Sequence, residues 1–93
     1  MKTNIESEKL IERKLVKLTA EAGGWCLKLL ALHCAGLPDR ICLMPGGKVF
    51  FVETKSTGDK PRKIQLLVHK KLRALGFKVY VIDKSEQIYK LFI

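Results

Sequence analysis

The sequence predicts an α/β fold whose elements run α-β-β-β-α-β-α in one compact unit. Three observations point there. Apolar residues recur at helical spacing near the N-terminus and again after Arg62. Between those segments, two runs of strand character are joined by Pro45-Gly46-Gly47, as in a hairpin, and Phe77 to Ile82 alternates aromatic and β-branched residues. The 93 residues permit a single domain, 1–93, with a modest core.

Taken in order, Asn4 to Ala22 reads as the first helix. Ile11, Leu15, Leu18 and Ala22 form an apolar stripe, and Lys9, Arg13, Lys14 and Lys17 occupy the other side. Gly23-Gly24 supplies the stop, because glycine adopts the left-handed conformation at helix ends. Trp25 to Leu32 reads as a strand. Leu29 to Leu32 could be helical on their own, but the glycine pair before them and Gly36-x-Pro38 after leave little room. His33 to Leu37 connects to a strand that opens at Pro38-Asp39 and ends at Met44. After the turn, Lys48 to Lys55 forms a more apolar strand, expected at the centre of the sheet. Ser56 to Pro61 has turn composition. A second helix spans Arg62 to Leu75, with Ile64, Leu67, Val68, Leu72 and Leu75 on one side and Gly76 as its stop. Phe77 to Ile82 is expected inside the sheet. Ser85 is a suitable N-cap for a short helix to Phe92, and the apolar Ile88 to Ile93 either covers the core or lies in an interface between copies.

Charge narrows the function classes. Lys and Arg total 18 against 9 Asp and Glu, a net +9, while the hydrophobic share of 47% is that of a folded domain and not of a basic tail. Such an excess suits a polyanionic partner, since each phosphate neutralised releases counterions. Seven of these cations (Lys60, Arg62, Lys63, Lys70, Lys71, Arg73, Lys78) fall between Lys60 and Ile82 with no acid among them. An ordinary solvated helix face would mix signs, so a phosphate-tracking surface is the better reading. No run of about 18 apolar residues is present, and Met1 to Glu12 is too polar for a signal peptide, so no membrane association and a cytoplasmic location are expected. Cys26, Cys34 and Cys42, eight apart with no C-x-x-C pair, read as reduced, buried thiols; His33 and His69 do not complete a zinc site.

The chemistry converges on one hairpin. Glu53 and Lys55, two apart on a strand, point to the same face, and a hairpin returns them beside Asp39. Each alone has a plainer explanation: Pro-Asp is a common turn, and Glu-x-Lys a common strand end. The combination is more specific. Thirteen residues of strand-turn-strand separate Asp39 from Glu53, which stands behind the apolar run Val49 to Val52 and therefore needs a partner for its charge. Two carboxylates beside an ammonium can hold a divalent cation and act on a phosphodiester. Glu8 and Glu12, one helical turn apart, offer a further carboxylate, though either could be a solvated helix acid. Gln65, early in the second helix, is either a surface amide or a hydrogen-bond donor to water or phosphate.

Helix-borne Glu, then Gly-x-Pro-Asp, then Glu-x-Lys, then Gln early in the next helix resembles the virus-type replication-repair nucleases, the VRR-NUC branch of the PD-(D/E)XK superfamily. The resemblance runs from about Ile5 to Gln87 and includes the Pro-Gly-Gly turn, Val-Phe-Phe-Val-Glu-Thr-Lys, and Leu-Arg-Ala-Leu-Gly-Phe-Lys-Val-Tyr-Val-Ile-Asp. Glu12-Arg13-Lys14-Leu15-Val16 also looks like the first helix of archaeal Holliday-junction resolvases, which favours Glu12 over Glu8. The resemblance implies a restriction-endonuclease-like fold, a mixed central sheet flanked by helices. It further implies an endonuclease using Mg²⁺ or Mn²⁺, with Asp39, Glu53 and the Thr54 carbonyl as metal ligands. Lys55 would orient or activate the attacking water, Glu12 would act through an outer-shell water or a second ion, and Gln65 would be an accessory.

The leading expectation is then a structure-specific DNA endonuclease that cuts four-way (Holliday) junctions as a homodimer, with Lys60, Arg62, Lys63 and Lys70 on the DNA. Flap or nick processing, restriction-like cleavage, and a basic DNA-binding module without catalysis are the competing readings.

Overall fold

The computed structural model describes residues 5–32 and 34–92; the expected helix start at Asn4, His33 and the terminal Ile93 lie outside them. The first helix, α1, spans Glu8–Glu21. It opens at Ser7, whose hydroxyl accepts the Leu10 N–H at 3.1 Å and so satisfies one of the helix's free donors. Its buried residues are Ile11, Leu15 and Thr19, whereas Ala22 is exposed, so the inward stripe ends on a threonine. Thr19 is tolerated there because its hydroxyl donates to the Leu15 carbonyl at 2.7 Å.

Four strands follow: β1 (Trp25–Lys28), β2 (Arg40–Met44), β3 (Lys48–Thr54) and β4 (Lys78–Ile82). They form one mixed sheet in the order β1-β2-β3-β4, antiparallel except for the parallel β3–β4 pair. β1 is half the length expected. Its ladder ends at Lys28↔Arg40, beyond which one bond, from the Leu29 N–H to the Asp39 carbonyl at 2.8 Å, still joins the two strands. Leu29 to Leu32 are neither strand nor helix but begin the connection to β2. That connection comes back over the second helix at Gly36, where a Cβ would lie 2.6 Å from the Ile64 carbonyl oxygen. Among the described residues β4 pairs only with β3, so it is an edge strand and not an interior one. Its apolar sequence reflects burial from both faces, with Val79 and Ile82 5% and 2% exposed.

One sheet face packs on α1. Cys26, Cys42, Phe50, Val52 and Ile82 meet Ile11, Leu15 and Ile88 there. The C-terminal segment Ser85–Phe92 is a 3-10 helix, and it closes this core: Ile88 is fully buried, and the Phe92 ring lies 6.3 Å from that of Phe50. Ser85 does not cap it as expected; its N–H and hydroxyl both donate to the Glu6 carboxylate, holding that group below the usual carboxylate range. Of the three thiols, Cys26 and Cys42 are buried as expected, but Cys34 is exposed.

The other face carries α2 (Lys63–Ala74), which packs mainly on β4. The expected inward stripe is used only in part: Val68 and Leu72 are half-buried. Ile64, Leu67 and Leu75 are 44%, 65% and 68% exposed, and the residues this helix buries are Gln65 and His69. The periodicity located the helix and its two ends within a residue; it also located a real apolar stripe. What it could not supply was the polar ground beneath the helix, Glu53, which selects Gln65 and His69 as the inward pair.

Truncating Ile88 to alanine removes the residue by which the C-terminal segment closes the α1 core. The expected loss is about 2–5 kcal/mol of unfolding free energy, measured by urea denaturation.

Candidate active site

β2 begins where β3 ends, so the hairpin register Arg40↔Val52 brings Asp39 beside Glu53 and Thr54. Asp39 is fixed by β3 itself: its Oδ2 accepts the Thr54 N–H at 2.9 Å and the Thr54 hydroxyl at 2.8 Å. Two donors on one oxygen leave the other free to face outward. Glu53 projects from the neighbouring position toward α2 and is only 1% exposed. Its Oε2 accepts from Gln65 Nε2 at 2.9 Å and lies 3.2 Å from Lys55 Nζ. Gln65 also ties the cation down, since its Oε1 accepts from Lys55 Nζ at 3.0 Å and from the Arg62 N–H at 2.8 Å. One amide thus orients the carboxylate, the ammonium and the first turn of α2.

The third carboxylate comes from α1. Carboxylate oxygens of Glu8, Asp39 and Glu53 lie within 4.8 Å of one another. Glu12, preferred on sequence, is elsewhere: one turn further along α1, its Oε2 accepts from Arg40 Nε at 2.7 Å. The difference follows from the helix start. With Ser7 as N-cap, Glu8 occupies the first turn, at the end of the sheet, and its N–H donates to Ser56 Oγ at 3.1 Å. A further turn carries the helix about 5 Å along β2, out of reach of the cluster and into reach of Arg40.

Crowding these acids shifts their titration. Burial, then the Asp39 charge, with Glu8 adding and Lys55 opposing, pushes the Glu53 carboxyl up to about 7. Burial and the Asp39 charge also raise Glu8 above the ordinary carboxylate range. Glu53 Oε1 has no hydrogen-bond partner. Beneath it His69 is fully buried, with neither ring nitrogen partnered and Nε2 3.9 Å from Glu53 Oε1, too far for a hydrogen bond. Burial, with the charges of Arg73 and Lys55, holds the imidazole below its usual pKa, so it is neutral at pH 7. A donor set of hard oxygens, like charges pressed together and an unpartnered carboxylate oxygen fit a divalent cation.

Lys60, Arg62, Lys63 and Lys70 are all exposed. Lys60 and Arg62 lie on the segment from β3 to α2, and Lys63 and Lys70 share the solvent side of α2. Arg73 is exposed as well, but its guanidinium is held to the sheet by donating to the Val79 carbonyl. The sequence reading missed the Thr54 side chain and His69. A signal for His69 was present, since Gln65 and His69 are the uncharged polar residues of α2 and stand one turn apart on the same side.

No family model matches the chain. It is 40% identical over 79 residues to a protein of Acyrthosiphon pisum secondary endosymbiont phage 1 that bears the name "Putative nuclease p44", covering 85% of each chain. Among solved structures it is similar to one described as "VRR_NUC domain", with a TM-score of 0.84 and 28% identity over 92% of this chain and 95% of the other.

The raised Glu53 pKa sets a pH dependence. A carboxyl that titrates near 7 when folded, against the ordinary 4.5, favours the folded state below pH 4.5 and loses that contribution as pH rises through about 7. Without divalent cations, wild type should therefore lose up to about 3 kcal/mol between pH 4.5 and 8 relative to Glu53→Gln. Denaturant titrations of both proteins across that range check it; parallel curves would mean that Glu53 is not displaced.

Proposed function

Because the chain belongs to the VRR-NUC nuclease family, we propose that it is a metal-dependent, structure-specific DNA endonuclease that resolves four-way junctions as a homodimer. The observation that carries this reading is the grouping of Glu8, Asp39 and Glu53 at one end of the sheet, with Lys55 held against Glu53 by Gln65. On this reading residues 1–93 act as one nuclease domain. Asp39 and Glu53, with the Thr54 carbonyl and Glu8, would hold Mg²⁺ or Mn²⁺. When bound, the ion supplies Lewis acidity toward a phosphodiester oxygen and offsets the carboxylate repulsion.

The chain's own residues supply the rest. Thr54 fixes Asp39, so the ligand oxygen is in position before substrate arrives. Lys55, whose Nζ has a defined place through Gln65 and Glu53, orients the attacking water and faces the negative charge that builds on the phosphoryl oxygens. Gln65 acts through Lys55 and Glu53 rather than on substrate. Glu8 replaces Glu12 as the helix carboxylate of the site, while Glu12 anchors α1 to β2 through Arg40. Lys60, Arg62, Lys63 and Lys70 track phosphates beside the site, in a chain of net charge +9. One chain has one site, and paired cuts across a two-fold junction need two, hence a symmetric dimer. No described helix is long and apolar enough to cross a membrane, and the similarity to a phage protein supports action in the host cytoplasm.

The test is cleavage of a labelled four-way junction beside flap, nicked and linear duplexes, with Mg²⁺, Mn²⁺ or EDTA. Paired nicks on the junction are expected with either metal and none with EDTA, and Glu53→Ala should lower the rate by roughly 100-fold or more. Equal cutting of linear duplex would sink junction specificity, and binding without cleavage under any metal would sink catalysis. Glu8→Gln should likewise slow cleavage without changing stability greatly. Glu12→Ala should do the reverse, costing about 1–3 kcal/mol through the unpaired Arg40 while single-site chemistry persists.

A further inference from the structure

The sheet face that carries Glu53 is only half covered. Strand register lays two rows of side chains across it, Trp25-Leu43-Val49 and Leu27-Ile41-Phe51. α2 packs mainly on β4, at the far side of the sheet, and leaves these rows open: Trp25 is 64% exposed and the other five are half-buried. Phe77, itself 41% exposed, extends the second row by an edge-on contact with Phe51 at 5.6 Å. Beside the rows stands the apolar stripe of α2. Ile64, Val68 and Leu75 share one side of the helix, with Leu67 next to them. That side turns toward the β1–β2 connection, since Gly36 lies against the Ile64 carbonyl and Val68 Cγ2.

We infer that this shelf of two rows and the adjoining ridge of α2 form the interface with a second copy of the chain. The inference rests on the dimer proposed above and names the surface that makes it. Three properties choose the occupant. Neither row contains a charged residue, in a chain with 18 basic and 9 acidic ones, and on the ridge only Lys71 stands among Ile64, Val68 and Leu75, so nucleic acid has little to hold there. Trp25, Ile64, Leu67, Leu75 and Phe77 are each 41–68% exposed, and large apolar side chains left this open on one side of a monomer mark an interaction surface. The surface also offers both halves of a match, a ridge beside a flat shelf. A two-fold axis lays the ridge of each copy on the shelf of the other. Because Phe51 and Glu53 lie on the same face of β3 two residues apart, this contact sets the separation of the two carboxylate clusters.

Trp25 is the one tryptophan of the chain, and it reports on this surface directly. Sedimentation velocity and tryptophan fluorescence would be measured over about 0.1–100 µM protein, with iodide as quencher, for wild type, Leu67→Glu, Leu75→Glu and Tyr89→Glu. Wild type should dimerise with a blue shift and reduced quenching of Trp25. Leu67→Glu and Leu75→Glu, exposed positions whose replacement leaves the monomer core untouched, should each weaken the dimer at least 100-fold with unchanged circular dichroism. Tyr89→Glu, 63% exposed on the C-terminal segment, should leave it intact. A wild-type dimer whose Trp25 stays open to iodide, or that survives both leucine variants, overturns the surface named here and leaves the dimer proposal standing. A wild type that is monomeric throughout, alone and on junction DNA, overturns both. The leucine variants should still nick the junction singly while losing paired incision, so a loss of all cleavage would also count against the surface.

Discussion

The constraint on which the site depends is the burial of the Glu53 carboxylate. A carboxylate 1% exposed must be paired, hydrogen-bonded or protonated, and this one is placed among two other acids. Its Oε2 is provided for by Gln65 and Lys55; its Oε1 has no partner at all. The resulting arrangement is under electrostatic load that a divalent cation relieves. That load is also why α2 sits on its polar side. An apolar residue at position 65 would leave Glu53 Oε2, Lys55 Nζ and the Arg62 N–H each short of one bond.

Loaded sites need a stiff frame, and the frame is built at the same end of the sheet. Glu6 and Thr57 bind each other through backbone and side chain, with Glu6 N–H on Thr57 Oγ1 at 2.9 Å and Thr57 N–H on the Glu6 carbonyl at 3.0 Å. The Thr57 hydroxyl also contacts the Asp83 carbonyl at 2.7 Å, and Asp83 Oδ2 accepts the Gly58 N–H at 3.0 Å, which keeps that carboxyl below its ordinary range. The entry to α1, the turn after β3 and the exit of β4 are thereby one knot. Glu8 follows Glu6 by two residues and Lys55 precedes Thr57 by two, so both functional side chains leave from points that this knot holds still. Each of these bonds has a backbone group at one end or both, and such short reach gives positional accuracy that pairs of long side chains do not.

The element order, the hairpin and the convergence of Asp39, Glu53 and Lys55 were legible in the sequence because each depends on local patterning: a turn, an alternation and a two-residue spacing. Gln65 was legible as a candidate, but not its contact with Lys55 and Glu53. What was not legible depends on which element lies over which. Glu8 and Glu12 have the same helical environment in sequence, and only the position of α1 along β2 separates them. Whether β4 is an edge or an interior strand is invisible in Lys78 to Ile82, since burial by helices and burial by strands select the same residue types. The exposure of Cys34 and the early end of β1 both follow from the path of one connection that Gly36 shapes, and no periodicity encodes that path.

α2 departs from an ordinary surface helix: the residues it buries are the polar Gln65 and His69, while Ile64, Leu66, Leu67 and Leu75 stand exposed beside Lys63, Lys70 and Lys71. Helices of that kind contribute little to the stability of a single chain, because the side chains that could be buried are the ones left out. The core that does hold the chain together, around Ile11, Leu15, Val52 and Ile88, lies on the opposite face of the sheet. The two faces have therefore divided the work. One supplies stability with apolar contacts. The other gives its buried positions to the carboxylates and their partners and leaves its apolar positions unpaired, so covering them requires a surface that the single chain does not have.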